Sequence, residues 1–271
     1  MKILLAYDGL STSIDSVRWA ARFAKLLDAE ILVVHVITKD AINSVQKGGE
    51  VKDAQRHCIS RTQGIFSLAQ EILEKEGVSW KKRVIVAEDV ASGIEKAGHV
   101  DVMILQPSPY KHAELAGDLS RRIAHSASTP SIFVKTNLAP RSKGCILVPI
   151  DENEDNLSVL DPALKIARGI KGSIIFYHTT WRAEGVKSPD PLEHCDASVR
   201  KDIRIAEERA RLARVPFKTV VEMQETIEEG IILCAIRNEA DLVVMARSTA
   251  IIGGKSELVL EHAMFPLMII P

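Results

Sequence analysis

The sequence predicts an α/β fold built as two tandem, doubly wound, five-stranded parallel-sheet domains. Three observations carry that prediction. Short apolar runs alternate with longer segments of helical period along the chain. Most of the runs are continuously apolar instead of alternating, as expected for strands covered on both faces. Third, the chain repeats itself once. Ile3-Leu4-Leu5-Ala6-Tyr7-Asp8 returns as Ile146-Leu147-Val148-Pro149-Ile150-Asp151, and Glu30-Ile31-Leu32-Val33-Val34-His35 as Ser173-Ile174-Ile175-Phe176-Tyr177-His178, both offset by 143 residues. Asp101-Val102-Met103-Ile104-Leu105 returns as Asp241-Leu242-Val243-Val244-Met245 at 140, and Pro130-Ser131-Ile132-Phe133-Val134 as Pro266-Leu267-Met268-Ile269-Ile270 at 136. A slowly shrinking offset marks one unit copied once, with small deletions in the later loops of the second copy.

Taken in order, the first copy should place strands at about 2–7, 30–37, 80–87, 101–106 and 130–135. The second should place them at about 145–150, 172–178, 217–222, 241–246 and 266–270. Helices are expected at 14–27, 51–76, 157–170, 197–214 and 227–238. In the first of these, Val17, Ala20, Ala21, Ala24 and Leu27 form one apolar stripe. The polar stretch 137–144, with Pro140 and Gly144, reads as a linker between domains 1–139 and 143–271. The long connections 38–50 and 180–193 are expected to be loops that carry specific recognition.

Composition narrows the function. The 271 residues hold 35 Lys+Arg against 36 Asp+Glu, a net charge of −1, so neither a nucleic acid nor an anionic membrane is expected as partner. The longest apolar runs are strand-length, well short of the roughly 20 residues of a membrane helix. Four dispersed cysteines without Cys-x-x-Cys read as reduced thiols, which points to the cytoplasm.

In open α/β sheets ligands sit beyond the carboxyl ends of the strands. The residues placed there are Asp8 and Asp151, His35-Val36 and His178-Thr179, then the segments 106–117 and 246–254. Asp8 and Asp151 can be helix caps or ligand contacts, and the two roles are compatible. His35 and His178 end buried strands and read as hydrogen-bonded structural histidines. Gly253-Gly254-Lys255-Ser256 resembles the end of a phosphate-cradling loop. Its first glycine position is Thr249, however, and it follows a fourth strand instead of a first. The repeated pairs His57-Cys58 and His194-Cys195 cannot easily share one ion, since adjacent helical residues diverge, so they read as solvated helix-start residues and no metal is expected. No Ser-His-Asp arrangement, nucleophile elbow or carboxylate pair can be assembled, so no catalytic centre is expected.

Several of these segments resemble the universal stress proteins. Residues 146–151 are similar to that family's opening strand and Ala240-Asp241-Leu242-Val243-Val244-Met245 to its fourth. Glu257-Leu258-Val259-Leu260-Glu261-His262-Ala263, followed by residues 266–270, resembles its last helix and strand. The first copy has a weaker counterpart in Gly117-Asp118-Leu119-Ser120 and residues 126–134. The resemblance covers nearly the whole chain and implies a tandem pair of adenine-nucleotide α-hydrolase-like domains. It implies a pseudo-twofold intrachain dimer, with Ser131 to Val134 beside Leu267 to Ile270, and leaves room for a further homodimer. It also implies a stress-response role by binding, without turnover.

The nucleotide-binding branch of that family carries Gly-x-x-Gly after the fourth strand and a later Gly-Ser or Gly-Thr. Here the first motif is replaced by Gln106-Pro107-Ser108-Pro109 in copy one and by Ala246-Arg247-Ser248-Thr249 in copy two. Proline offers a phosphate no amide, and the Asp118 carboxylate after Gly117 repels one. The resemblance therefore implies ATP or ADP mainly in the second copy, at Asp151, Thr179, Ala246, Arg247, Ser248, Thr249, Gly253, Gly254, Lys255 and Ser256. Asp8 and Val36 are the matching positions in the first. The alternative is a nucleotide-free scaffold acting through protein contacts. A third class, the adenine-nucleotide α-hydrolase enzymes, requires Ser-Gly-Gly-x-x-Ser, which Asp8-Gly9-Leu10-Ser11-Thr12-Ser13 does not match.

Overall fold

A computed structural model describes residues 1–10, 13–45, 51–62, 64–107, 114–135, 137–152, 156–180, 192, 195–247 and 255–271; for 114–118 and 257 it describes the backbone alone. The chain divides into two compact units, Met1–Ala139 and Pro140–Pro271.

In the first unit the elements run β1 (Lys2–Ala6), α1 (Ile14–Leu27), β2 (Glu30–Thr38), α2 (Lys39–Val45), α3 (Val51–Arg61), α4 (Ser67–Glu76), β3 (Trp80–Ala87), α5 (Val90–Glu95), β4 (Val102–Leu105), α6 (Glu114–Ser126) and β5 (Ser131–Phe133). The sheet order is β3-β2-β1-β4-β5, every pair parallel. In the second unit they run β6 (Cys145–Pro149), α7 (Leu160–Gly169), β7 (Ser173–Thr180), α8 (Ala197–Leu212), β8 (Phe217–Met223), α9 (Ile227–Arg237), β9 (Leu242–Ala246), α10 (Lys255–His262) and β10 (Leu267–Ile270). The order is β8-β7-β6-β9-β10, again all parallel. Each sheet thus reverses direction beside its first strand, which is where such folds place their ligands.

The apolar strand runs are buried because helices cover both faces. Ile3, Leu4 and Leu5 in β1 and Ile146, Leu147 and Val148 in β6 have no exposed surface. On α1 the stripe Val17, Ala20, Ala21 and Ala24 is buried as expected, Leu27 only half so, and Trp19 stacks on Phe23 at 4.6 Å. One polar device recurs in both copies. Asp101, just ahead of β4, accepts a hydrogen bond from Lys2 N at 2.6 Å; Asp241, just ahead of β9, accepts one from Cys145 N at 2.8 Å. The acid before the fourth strand anchors the start of the first.

Four expectations need correction. Segment 38–50 is not all loop: α2 continues directly from β2, and its Ile42 packs with Ile37, Ala54 and Cys58. The single helix expected over 51–76 is two, α3 and α4, parted around Gly64, where Thr62 turns back onto the Ile59 carbonyl and Phe66 is driven into the core. His57 and Cys58 therefore lie inside α3 and not at a helix start. Residues 140–144 are also not free linker, because Arg141 binds Asp241 and Glu239. Gly144 is close against the Asp241 carboxylate, where a Cβ would collide.

Candidate functional site

In the second unit the carboxyl ends of β6, β7 and β9 converge on a narrow crevice lined by Ile150, Asp151, Tyr177, Thr179, Met245 and Lys255, with Ile227 and Ile231 of α9 as a further wall. Its free space holds about one water molecule. Asp151 leaves β6 at the mouth. Its Oδ1 accepts from Glu152 N at 2.7 Å, and its other oxygen pairs with the ammonium of Lys255, the first residue of α10. Both side chains are largely buried, at 13% and 25% exposure. Burial lowers the Lys255 pKa. Asn156 steadies the turn, its Oδ1 accepting from Asp151 N at 2.9 Å while its amide donates to the Asp151 carbonyl and to Asp202.

Thr179, next to last in β7, is buried and donates to Tyr177 Oη at 3.1 Å. Burial pushes the tyrosine pKa up to about 12. Gly230 lets α9 lie directly on this pair: a Cβ there would meet Tyr177 Oη and come within 2.8 Å of Thr179 Oγ1. His178, buried beside them, bonds the Ile150 carbonyl through Nδ1 at 2.8 Å, and burial depresses its pKa. His35 repeats the contact with the Tyr7 carbonyl at 2.8 Å. Both histidines are therefore structural.

The first unit meets the same positions differently. Asp8 is exposed, and its Oδ1 accepts from Leu10 N at 2.9 Å and Ser13 Oγ at 2.7 Å, which is the turn-capping role. Gly9 sits at φ +81°, and a Cβ there would strike Ile65; the second copy has Glu152 instead. Gln106, at the end of β4, reaches across the switch point so that its Oε1 accepts from Ser16 N near the start of α1, at 3.3 Å. Ala246, its counterpart, is too short to do so. Val36 of β2 is half-buried, and Gly93 of α5 lies against it, a Cβ there falling 2.5 Å from Val36 Cγ1.

Of the expected site residues, the fold brings Asp151, Thr179 and Lys255 to one crevice. Ala246 ends the adjoining β9, Ser256 follows Lys255 in α10, and the Arg247 amide is already bound to the Ile270 carbonyl at 2.7 Å. Ser248, Thr249, Gly253 and Gly254 lie outside the described residues. Sequence reasoning missed Tyr177, Ile227, Ile231, Gly230 and Asn156, and it placed Gln106 at a strand end without its reach to Ser16. A signal existed for two of them. Asp89 and Thr226 both cap a helix four residues before a glycine and five before an isoleucine. That repeat locates Gly93-Ile94 and Gly230-Ile231. Among the described residues no three His, Cys, Asp or Glu side chains gather to hold a metal, and no helix is long and apolar enough to cross a membrane.

Two matches to the Universal stress protein family profile account for residues 1–135 and 145–271. The chain belongs to the universal stress protein family. Its tandem arrangement recurs in solved structures. A universal stress protein from Archaeoglobus fulgidus DSM 4304 is 17% identical, with a TM-score of 0.76 over 99% of this chain and 97% of that one. A putative universal stress protein from Pseudomonas aeruginosa UCBPP-PA14 is 17% identical, with a TM-score of 0.65 over 99% and 92%. A half-length universal stress protein solved in complex with cAMP is 18% identical and covers 48% of this chain and 97% of its own, with a TM-score of 0.39. No curated protein matches the chain at a significant level.

Proposed function

We propose that this universal stress protein works by binding, without turnover, and that its second copy holds one adenine nucleotide, ATP or ADP, while its first holds none. The observation that carries the reading is the crevice at the ends of β6, β7 and β9, which has opposite charges at its mouth. Lys255 opens α10, so its ammonium and the positive end of that helix's dipole suit a phosphate. Asp151 suits the hydroxyls of a ribose or the amino group of a base, and Ile150, Ile227, Ile231 and Met245 offer an apolar wall for a purine. Entry requires Lys255 to exchange its carboxylate partner for a phosphate. In the first copy Gln106 spans the same ground and Pro107 lacks an amide.

The closed state of the crevice favours a second reading, a nucleotide-free scaffold. Boiling the purified protein and assaying the supernatant for ATP, ADP, AMP and cAMP separates them. The binding reading expects at most one adenylate per chain, lowered by Lys255→Met in a variant whose thermal unfolding stays cooperative. A supernatant free of adenylate, with no binding on titration, supports the scaffold; two adenylates per chain refute the assignment to the second copy.

A further inference from the structure

Away from that crevice, a groove of about 430 Å³ runs between α7 and α8 on the outside of the second unit. Leu164 and Leu212 form its apolar part, and Lys165, Arg168, Arg209 and Asp161 rim it. The charge is lopsided. Asp161 is already satisfied by Arg209 at 3.3 Å, while the side chains of Lys165 and Arg168 meet no partner among the described residues. Arg214 and Lys171, directly past the ends of the two helices, add further cations. Leu212 stands beside them 77% exposed.

Arginines in the last turns of α7 and α8 are explained in part by the helix dipole, which favours cations there. That explanation covers neither Lys165, in mid-helix, nor an exposed leucine. The first unit has a groove at the matching place, between α1 and α4, but there two carboxylates, Glu71 and Glu76, offset most of the charge of Arg18, Arg22 and Lys75, whereas Asp161 alone faces three cations in the second. A net cationic groove with an apolar floor complements one chemistry, a segment carrying several carboxylates around an apolar residue. Guanidinium forks suit carboxylates in particular.

We propose that the α7–α8 groove docks an acidic, leucine-bearing peptide segment of a protein partner, its carboxylates on Lys165 and Arg168 and its apolar side chain against Leu212. The proposal does not rest on nucleotide binding, since the groove shares no residue with the crevice. The test is fluorescence anisotropy of the full-length protein with a short fluorescein-labelled peptide of glutamates flanking leucines. Binding should weaken as salt is raised. It should weaken by at least about tenfold in the double variant Lys165→Glu/Arg168→Glu, which removes both charge-assisted contacts. A second variant, Lys165→Ala/Leu212→Ser, leaves both arginines in place and should also weaken it, with thermal unfolding close to that of the wild type. Equal binding by wild type and both variants would overturn the proposal. So would a single-stranded oligonucleotide or phosphatidylserine vesicles binding the groove more tightly than the peptide does, or a lysine-for-glutamate peptide binding equally well.

Discussion

Two glycines do at residue scale what no other residue type could. Gly230 allows α9 to rest on Tyr177 and Thr179, and Gly93 allows α5 to rest on Val36, with no room for a Cβ at either place. Alanine would raise helix propensity, yet here Gly230→Ala should destabilise by about 1–3 kcal/mol through overpacking, read from the urea midpoint. His178 gives a pH signature. Its folded-state pKa lies below the ordinary 6.5 because burial disfavours the charged ring. As pH falls through 6.5 the unfolded chain therefore takes up a proton before the folded one does, and stability declines toward the lower folded value. Above that window the group makes no difference. Urea midpoints measured from neutral to mildly acidic pH should fall, and His178→Gln, which retains a donor for the Ile150 carbonyl, should flatten the slope.

Among the elements, β6 and β9 are tied by Asp241, whose carboxylate serves Cys145 N, Arg141 N and Arg141 Nε together. These bonds raise the Arg141 pKa further above its already high ordinary value, so the guanidinium stays charged at any working pH. Asp241→Ala orphans the Cys145 amide and should lose about 2–3 kcal/mol, more than Asp241→Asn, in chemical denaturation. Most strands were legible because a doubly covered strand must be apolar at every position, as Ile146, Leu147 and Val148 are. The break between α3 and α4 was not legible, since Gly64 alone does not stop a helix and the decisive event, burial of Phe66, is tertiary. The contrast between Gln106 and Ala246 yields a further prediction. Ala246→Gln should place a side chain across the second crevice as Gln106 does in the first, and lower adenylate retention several-fold with the thermal unfolding midpoint little changed.

Over the whole molecule, duplication made the architecture readable from the sequence, because Asp8 aligns with Asp151 and His35 with His178 in the sequence alone. The candidate site was readable only in part. Asp151, Thr179 and Lys255 lie in three separate stretches, and their shared crevice follows from the sheet order, which no local pattern encodes. The Asp151–Lys255 pair was invisible for the same reason: carboxylate and ammonium are brought together from opposite ends of the second unit. The two copies have thus kept one scaffold and diverged at the switch point, one spanned by a glutamine and one closed by an ion pair. Isothermal titration of the nucleotide-free chain with ATP and ADP tests this most directly. One site per chain, lost in Lys255→Met and insensitive to Gln106→Ala, is the expected result. Two sites, or one that survives Lys255→Met unchanged, would contradict it.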